Sequence, residues 1–285
     1  MLPHQEETLQ PYVARVYFDS KTKDGSDSYF EILRSDKRVY LQKAKKKGEK
    51  FFIGTMYKDD PDELLIKMGM DITGDGQPDL VISEWLGGAN CCLQIHIFEI
   101  GPTFRKLGTI DAGYGDSGPH FVHLDKDSKL AGLAVQIHDW TFVNWHADFA
   151  DSPAPKVMLR FSDYAYRDNG YRMSPDLMRA LPLSDADLQV RAAAVRNYAQ
   201  SAKDGAWPRA DVSPDLWGTM LDLIYSGHDA DAWKFLDTAW PSKVQGKDAF
   251  AHDFRAQLAK SPYWPAVKAM NESNPPDTPS PSPTK

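Results

Sequence analysis

The sequence predicts an α+β protein: an N-terminal antiparallel all-β domain, built as a partial propeller-like stack or a sandwich, followed by a C-terminal helical subdomain. Three observations carry this. Short β-branched and aromatic segments separated by turn residues fill the chain from Tyr12 to about Arg172. The apolar spacing becomes helical after Ser174-Pro175, and a Pro- and Ser-rich stretch begins at Asn274. The organisation expected is an extension over 1–11, a β-rich domain over 12–173, a helical domain over 174–271 and a disordered tail over 272–285.

The strands are expected in sequence. Tyr12 to Phe18 is followed by a Lys23-Asp24-Gly25-Ser26 turn, and Tyr29–Arg34 and Arg38–Leu41 flank Ser35-Asp36-Lys37 as a hairpin. Further strands fit Phe51–Thr55, Asp79–Trp85, Cys92–Glu99, Leu107–Asp111, Leu133–His138, Trp140–Trp145 and Lys156–Phe161, with Gly87-Gly88 and Gly101-Pro102 as breaks. A closed propeller needs at least four blades of four strands, more than about 160 residues supply, so any propeller here is partial. The basic run Lys43, Lys45, Lys46, Lys47 and Lys50 reads as a solvated hairpin tip.

In the helical part, Ser184 is an N-cap with Asp187 at N3, and Leu188, Ala192, Val195 and Ala199 share a face. Ser213-Pro214 places a capping hydroxyl directly before a first-turn proline, and the helix runs through Leu216, Trp217, Met220, Leu221 and Ile224 to Gly227, its C-cap. Asp229 to Trp240 and Asp248 to Lys260 are two more. Their Met, Leu and Trp residues have the spacing of a core face.

One stretch has the spacing of a definite chemistry. Residues Asp71 to Leu80 read Asp-Ile-Thr-Gly-Asp-Gly-Gln-Pro-Asp-Leu. Asp71, Thr73 and Asp75 put a side-chain oxygen on every second residue, the Gln77 carbonyl points inward, and Asp79 closes the set. Such an oxygen-rich, glycine-hinged loop suits Ca2+, which takes six to eight oxygens at roughly 2.3–2.6 Å. Mg2+ demands stricter octahedral geometry and suits it less. The helix-flanked twelve-residue calcium pattern is not met, because Ile82 stands where its closing Glu belongs. The string Asp-x-Thr-Gly-Asp-Gly-x-Pro-Asp-Leu resembles the calcium loop of FG-GAP or VCBS-type repeats, found in integrin-like β-propellers and many bacterial surface proteins. The resemblance implies a calcium-loaded β-repeat and an exported protein.

A repeat family implies a further copy. His123-Leu124-Asp125-Lys126-Asp127-Ser128-Lys129-Leu130-Ala131, followed by a strand-like run ending near Trp140, is the best candidate. Both segments precede an acid-Trp pair, Glu84-Trp85 and Asp139-Trp140. In register, His123 and Ala131 replace Asp71 and Asp79, so the second copy is expected to have lost its metal.

Composition limits the function classes. The chain has 285 residues, 42% hydrophobic and 26% charged, which is enough for a sizeable core. A net charge of −7 disfavours a phosphate-tracking nucleic-acid face. No apolar run reaches the roughly 18 residues of a membrane span. The start Met1-Leu2-Pro3-His4-Gln5-Glu6 lacks the features of a secretory leader, although a trimmed leader fits as well. Calcium chemistry favours a secreted or periplasmic location, where weak sites fill.

Cys91 and Cys92 are the only cysteines, and either bridge as a vicinal disulfide or lie free at a strand start. Trp85, Asn90, Trp140 and Trp145 are candidate contacts for a glycan or protein partner, against a plain core role for the tryptophans. Glu84, His96, His120, His123, His138 and Asp139 are the residues a metal-assisted hydrolase would draw on, with Glu84 and Asp139 at its centre. The third possibility is a structural envelope protein whose helical domain docks an assembly partner.

Overall fold

The computed structural model describes residues 3–18, 28–56, 64–88, 92–114, 118–124, 132–162, 170–179, 183–201, 207 and 212–273. Among them, twelve strands form three four-stranded meanders, with no closed barrel. Sheet one runs β1 (Gln5–Leu9), β2 (Tyr12–Tyr17), β3 (Tyr29–Arg34), β4 (Lys37–Lys43). Sheet two runs β5 (Lys50–Ile53), β6 (Asp79–Trp85), β7 (Leu93–Ile100), β8 (Phe104–Gly113). Sheet three runs β9 (His120–His123), β10 (Leu133–His138), β11 (Lys156–Phe161), β12 (Tyr171–Met173). Helices α1 (Pro175–Met178), α2 (Asp185–Tyr198), α3 (Pro214–Tyr225), α4 (Asp229–Ala239), α5 (Lys247–Leu258) and α6 (Trp264–Glu272) follow. The architecture is α+β, with strands N-terminal and helices C-terminal.

Contacts divide the chain into two bodies. The β body is Met1–Ile137 with Met158–Arg172, and the helical body is His138–Val157 with Met173–Lys285. The cut at Arg172/Met173 lies where the sequence changes period, but the helical body also takes in 138–157, which the sequence assigns to the β domain. Local chemistry explains the reassignment. Phe142 stacks on Trp217 with ring centroids 5.6 Å apart and meets Phe254 at 5.1 Å.

Alternation explains the β body. Tyr12, Ala14 and Val16 of β2, Phe30 and Ile32 of β3, Phe51 and Ile53 of β5, Leu80 and Ile82 of β6, and Phe98 and Ile100 of β7 form one buried cluster. Every second residue faces it, the two-residue period of a pleated strand. Sheets one and two therefore share a core, and the Tyr12 hydroxyl donates to the Gly101 carbonyl at 3.0 Å across it. The first six residues of β6 are all buried, as expected of a strand covered on both faces.

Four local expectations are corrected. The 1–11 extension contains β1, paired with β2 from Gln5↔Val16 to Leu9↔Tyr12. The Trp140–Trp145 strand is a series of turns, because Asp139 accepts the Thr141 amide at 2.9 Å and closes an Asx-turn. The lysine run is not a hairpin tip: Lys45–Lys47 connect β4 of sheet one to β5 of sheet two. Ser213 precedes α3 without a side-chain capping bond. The Ser184 cap forms, its hydroxyl accepting the Asp187 amide at 3.1 Å and donating to the Asp187 carboxylate at 2.6 Å. The Pro- and Ser-rich tail beyond residue 273 and the Asp24-Gly25 turn lie outside the described residues.

Candidate metal site

The Asp71–Asp79 loop joins the first strand of sheet two to its second. Its ends are pinned: the Gly69 amide donates to the Asp79 carbonyl at 2.8 Å, the Asp79 amide to the Met70 carbonyl at 3.0 Å, and the Ile100 amide to the Pro78 carbonyl at 2.8 Å. Ile72 anchors the middle of the loop in the core. Gly74 and Gly76 have φ of 81° and 83°, the left-handed conformation that keeps the carboxylates turned toward one another's backbone.

The three carboxylates are served unequally. Asp71 Oδ1 accepts the Gly74 amide at 2.7 Å, and its Oδ2 accepts the Gly76 amide at 2.8 Å. The Thr73 hydroxyl lies 3.4 Å from Asp71 Oδ1. Asp75 Oδ1 accepts the Gln77 amide at 2.8 Å, and its Oδ2 is 3.8 Å from the Arg105 guanidinium. Asp79 is fully buried; its Oδ2 accepts the Ile72 and Thr73 amides at 2.8 and 3.0 Å. Its Oδ1 is buried and has no hydrogen-bond partner. Burial pushes the Asp79 carboxyl up to about 7, against the pull of the Thr73 and Ile72 amides and with help from the Asp75 and Asp71 charges.

Among the described residues no group of three or more His, Cys, Asp or Glu side chains is gathered so as to hold a metal ion. The donor set nevertheless fits a hard cation. It is all oxygen, it carries three carboxylates, and one buried carboxylate oxygen has no hydrogen-bond partner among the described residues.

Three neighbours of the loop carry no sequence signal. Arg105 of β8 pairs with both Asp75 and the Glu99 carboxylate. The Tyr171 phenol of β12 is raised well above its ordinary value, by burial first and then by the charges of Asp79, Asp71 and Asp75. Gly132, at the start of β10, fits so closely that a Cβ there would lie 2.8 Å from Gly74 N and from Thr73 C and O. Next to it the Leu133 amide donates to the Ile72 carbonyl at 2.8 Å. Each lies 26 or more residues beyond Asp79 in sequence, which only the folded sheets bring back.

The segment expected to be a second copy falls between β9 and β10, the first and second strands of sheet three, as the Asp71–Asp79 loop falls between the first and second strands of sheet two. His123 pairs with Leu133 at its neck. Asp125, Asp127 and Ala131 lie outside the described residues, as does Asn90.

The remaining candidate residues are distributed between the bodies. Trp85 ends β6 in the β body, half-buried, with the Lys50 ammonium 5.5 Å from its ring centroid. Trp140 and Trp145 belong to the helical body. Trp140 stacks on Phe149 at 5.6 Å, and Trp145 packs among Phe142, Trp217, Phe250 and Phe254 at 5.1–5.9 Å. Cys92 is disulfide-bonded, and Cys91 is the chain's one other cysteine. His120 and His123 occupy the two ends of β9, with His123 exposed, and His138 ends β10.

The two carboxylates expected at a hydrolase centre are each hydrogen-bonded within their own body. Asp139 Oδ1 accepts the Thr141 amide and hydroxyl, and its Oδ2 accepts the Tyr225 and Ser261 hydroxyls at 2.5 Å each. Glu84 Oε2 lies 2.6 Å from His96 Nε2 and accepts the Gln42 amide at 2.9 Å. His96 Nδ1 lies 3.0 Å from the Thr109 hydroxyl. Burial lowers His96 below its ordinary value, against the opposing hydrogen bond from Glu84.

Comparison with protein-family models, with curated proteins and with solved structures finds no match for this chain.

Proposed function

We propose that this chain is a calcium-binding β-repeat protein, similar to FG-GAP and VCBS-type repeats, that works as a non-catalytic binding module for a glycan or protein partner outside the cytoplasm. The observation that carries the reading is Asp79. It is a fully buried carboxylate with one oxygen held by two amides and the other without a partner. An ionised carboxylate buried in that state costs several kcal/mol, and a cation opposite the open oxygen offsets the cost. Asp71, Thr73, Asp75, the Gln77 carbonyl and Asp79 would hold the ion. Bound Ca2+ would supply the positive charge that the buried Asp79 carboxylate otherwise lacks.

The repeat reading is supported by topology, since the two loops expected to share an origin join equivalent strands of successive meanders. An oxidising, extracytoplasmic compartment is supported by the disulfide at Cys92, because such bonds persist there. The same compartments hold the millimolar calcium that fills weak oxygen sites. No helix among the described residues is long and apolar enough to cross a membrane. A hydrolase centred on Glu84 and Asp139 is not carried forward, because both carboxylates are engaged in structural hydrogen bonds.

The test is thermal melting of the full chain in millimolar calcium, in magnesium and in chelator. Calcium at about 100 times its dissociation constant adds roughly 2.7 kcal/mol, or roughly 5–10 °C for a chain of this size. Magnesium is expected to give a small fraction of that rise. Superimposable curves in calcium and chelator would end the reading.

A further inference from the structure

The outer face of sheet one carries a second candidate site, far from the metal loop in sequence. A cavity of about 480 Å³ is lined by Ser28, Tyr29, Glu31, Arg38, Leu41, Lys43 and Ala44. That volume is within the range of small-molecule sites, about 300–1,000 Å³. The register of β3 and β4 assembles the wall: Tyr29 is opposite Lys43 and Glu31 opposite Leu41, so the two-residue period puts all four on one face.

The chemistry of that wall is specific. Tyr29 is half-buried and stacks on Tyr17 with centroids 4.5 Å apart, which fixes its ring as a flat platform. Tyr17 is the cross-strand partner of Tyr29 on β2, and its stack holds one face of the Tyr29 ring. The Glu31 carboxylate is already engaged by the Tyr17 hydroxyl at 3.0 Å and faces the Arg38 guanidinium at 3.7 Å. Arg38 and Lys43 therefore give the rim a cationic balance, two cations against one occupied carboxylate, in a chain whose net charge is −7.

Ser28 supplies the second, independent observation. It is 1% exposed, its hydroxyl has no hydrogen-bond partner among the described residues, and it lines the cavity. A buried hydroxyl left unpaired is costly, and a ligand hydroxyl that pairs with it recovers that cost on binding. Its backbone is fixed, because the Ser28 carbonyl accepts the Ala44 amide at 2.8 Å.

We propose that this cavity binds a saccharide bearing a carboxylate, with its ring on Tyr29, its acid group between Arg38 and Lys43, and a hydroxyl on Ser28. An aromatic platform beside hydroxyl and charged donors suits a pyranose, which is apolar on its face and polar at its edge. Arg and Lys at the rim select the charged sugar over its neutral counterpart. The proposal takes from the proposed function only the class of partner, a glycan, and makes no use of calcium.

The experiment is calorimetric titration of the full chain in chelator with cellobiouronate and with its uncharged methyl ester. Binding of the acid is expected, weakened about tenfold in the ester and about tenfold in Arg38→Ala or Lys43→Ala, the size of one charge-assisted contact. Ser28→Ala should weaken binding several-fold with a melting temperature at or above that of wild type. No heat from millimolar acid, equal affinity for acid and ester, or full affinity in the Arg38→Ala/Lys43→Ala double variant would each overturn the proposal. Because chelator is present throughout, failure here leaves the calcium reading standing. Failure of calcium to stabilise the chain leaves this site standing.

Discussion

Asp79 of the β body and Asp139 of the helical body are the same residue at nearly the same burial, 0% and 3% exposed. They differ in what surrounds them. Asp139 is complete: two hydroxyls reach Oδ2, and the Thr141 amide and hydroxyl reach Oδ1. Asp79 has two amides on one oxygen and nothing on the other. A buried acid whose hydrogen bonds close within the protein holds structure together. A buried acid left open on one side is unfavourable unless something from outside completes it. Burial alone separates neither case; the census of partners does.

The largest effect expected is at the closed site. Asp139→Ala leaves the Tyr225 and Ser261 hydroxyls buried without their shared acceptor and should cost about 3–5 kcal/mol. Thermal melting should show this loss equally in calcium and in chelator. A loss of less than about 1 kcal/mol would mean that Asp139 contributes little to the helical body and that the contrast is misdrawn.

Next in size is the open site, with the opposite pattern. Asp79→Asn keeps an oxygen for the Ile72 and Thr73 amides and removes the uncompensated charge. In chelator it should melt at or above wild type. In calcium it should lose nearly all of the roughly 2.7 kcal/mol that the ion adds. A variant that melts well below wild type in chelator would show that Asp79 is complete as it stands.

These expectations rest on a site that was only half legible in the sequence. The five ligand candidates occupy consecutive alternate positions, so a local string reveals them. Arg105, Gly132 and Tyr171 come to the loop through strand pairing and sheet stacking, which leave no local mark. The fold divides likewise. Strands β3, β6, β10 and β11 have the bounds expected, because each alternates or runs apolar over six or seven residues. The three strands that the sequence pattern does not mark, β1, β9 and β12, are all edges of their sheets. Edge strands are short or polar by nature, as Gln-Glu-Glu-Thr-Leu in β1 shows. Trp140–Trp145 misled in the other direction: aromatic composition suggested a strand, while Asp139 sets a turn that delivers Phe142 and Trp145 into an aromatic core. Helix α6 is hidden in the sequence because Pro265 stands in its first turn and looks like a breaker.

A smaller effect tests how the open loop is supported. Gly132 has φ of 66°, and the three atoms nearest a Cβ there are backbone atoms of Thr73 and Gly74, which cannot swing aside. Gly132→Ala should cost about 1–3 kcal/mol and lower calcium affinity about tenfold, read by calorimetric titration. Wild-type affinity in this variant would mean that the loop holds its shape without sheet three.

The smallest effect is a dependence on pH. His96 is buried beside Glu84 of β6, Lys106 of β8 and Lys45 of the β4–β5 connection, with Gln42 and Thr109 on its ring nitrogens. Its folded value lies below the ordinary 6.5, so the folded chain keeps it neutral where the unfolded chain takes up a proton. The sign follows: stability is full above pH 6.5 and is lost as pH falls through the lowered folded value. His96→Gln should flatten melting temperature between pH 7.5 and 5.5 relative to wild type. An unchanged slope would assign the acid loss to other groups.

The contrast between the two aspartates comes down to one oxygen atom. A crystal structure of the full chain grown in millimolar calcium, with anomalous data to identify the ion, tests it most directly. The account predicts a single calcium in the Asp71–Asp79 loop, with Asp79 Oδ1 at roughly 2.3–2.6 Å from it. It also predicts no ion at Asp125 and no change at Asp139. Asp79 Oδ1 bonded to water or to a protein donor, with no ion in the loop, would contradict it.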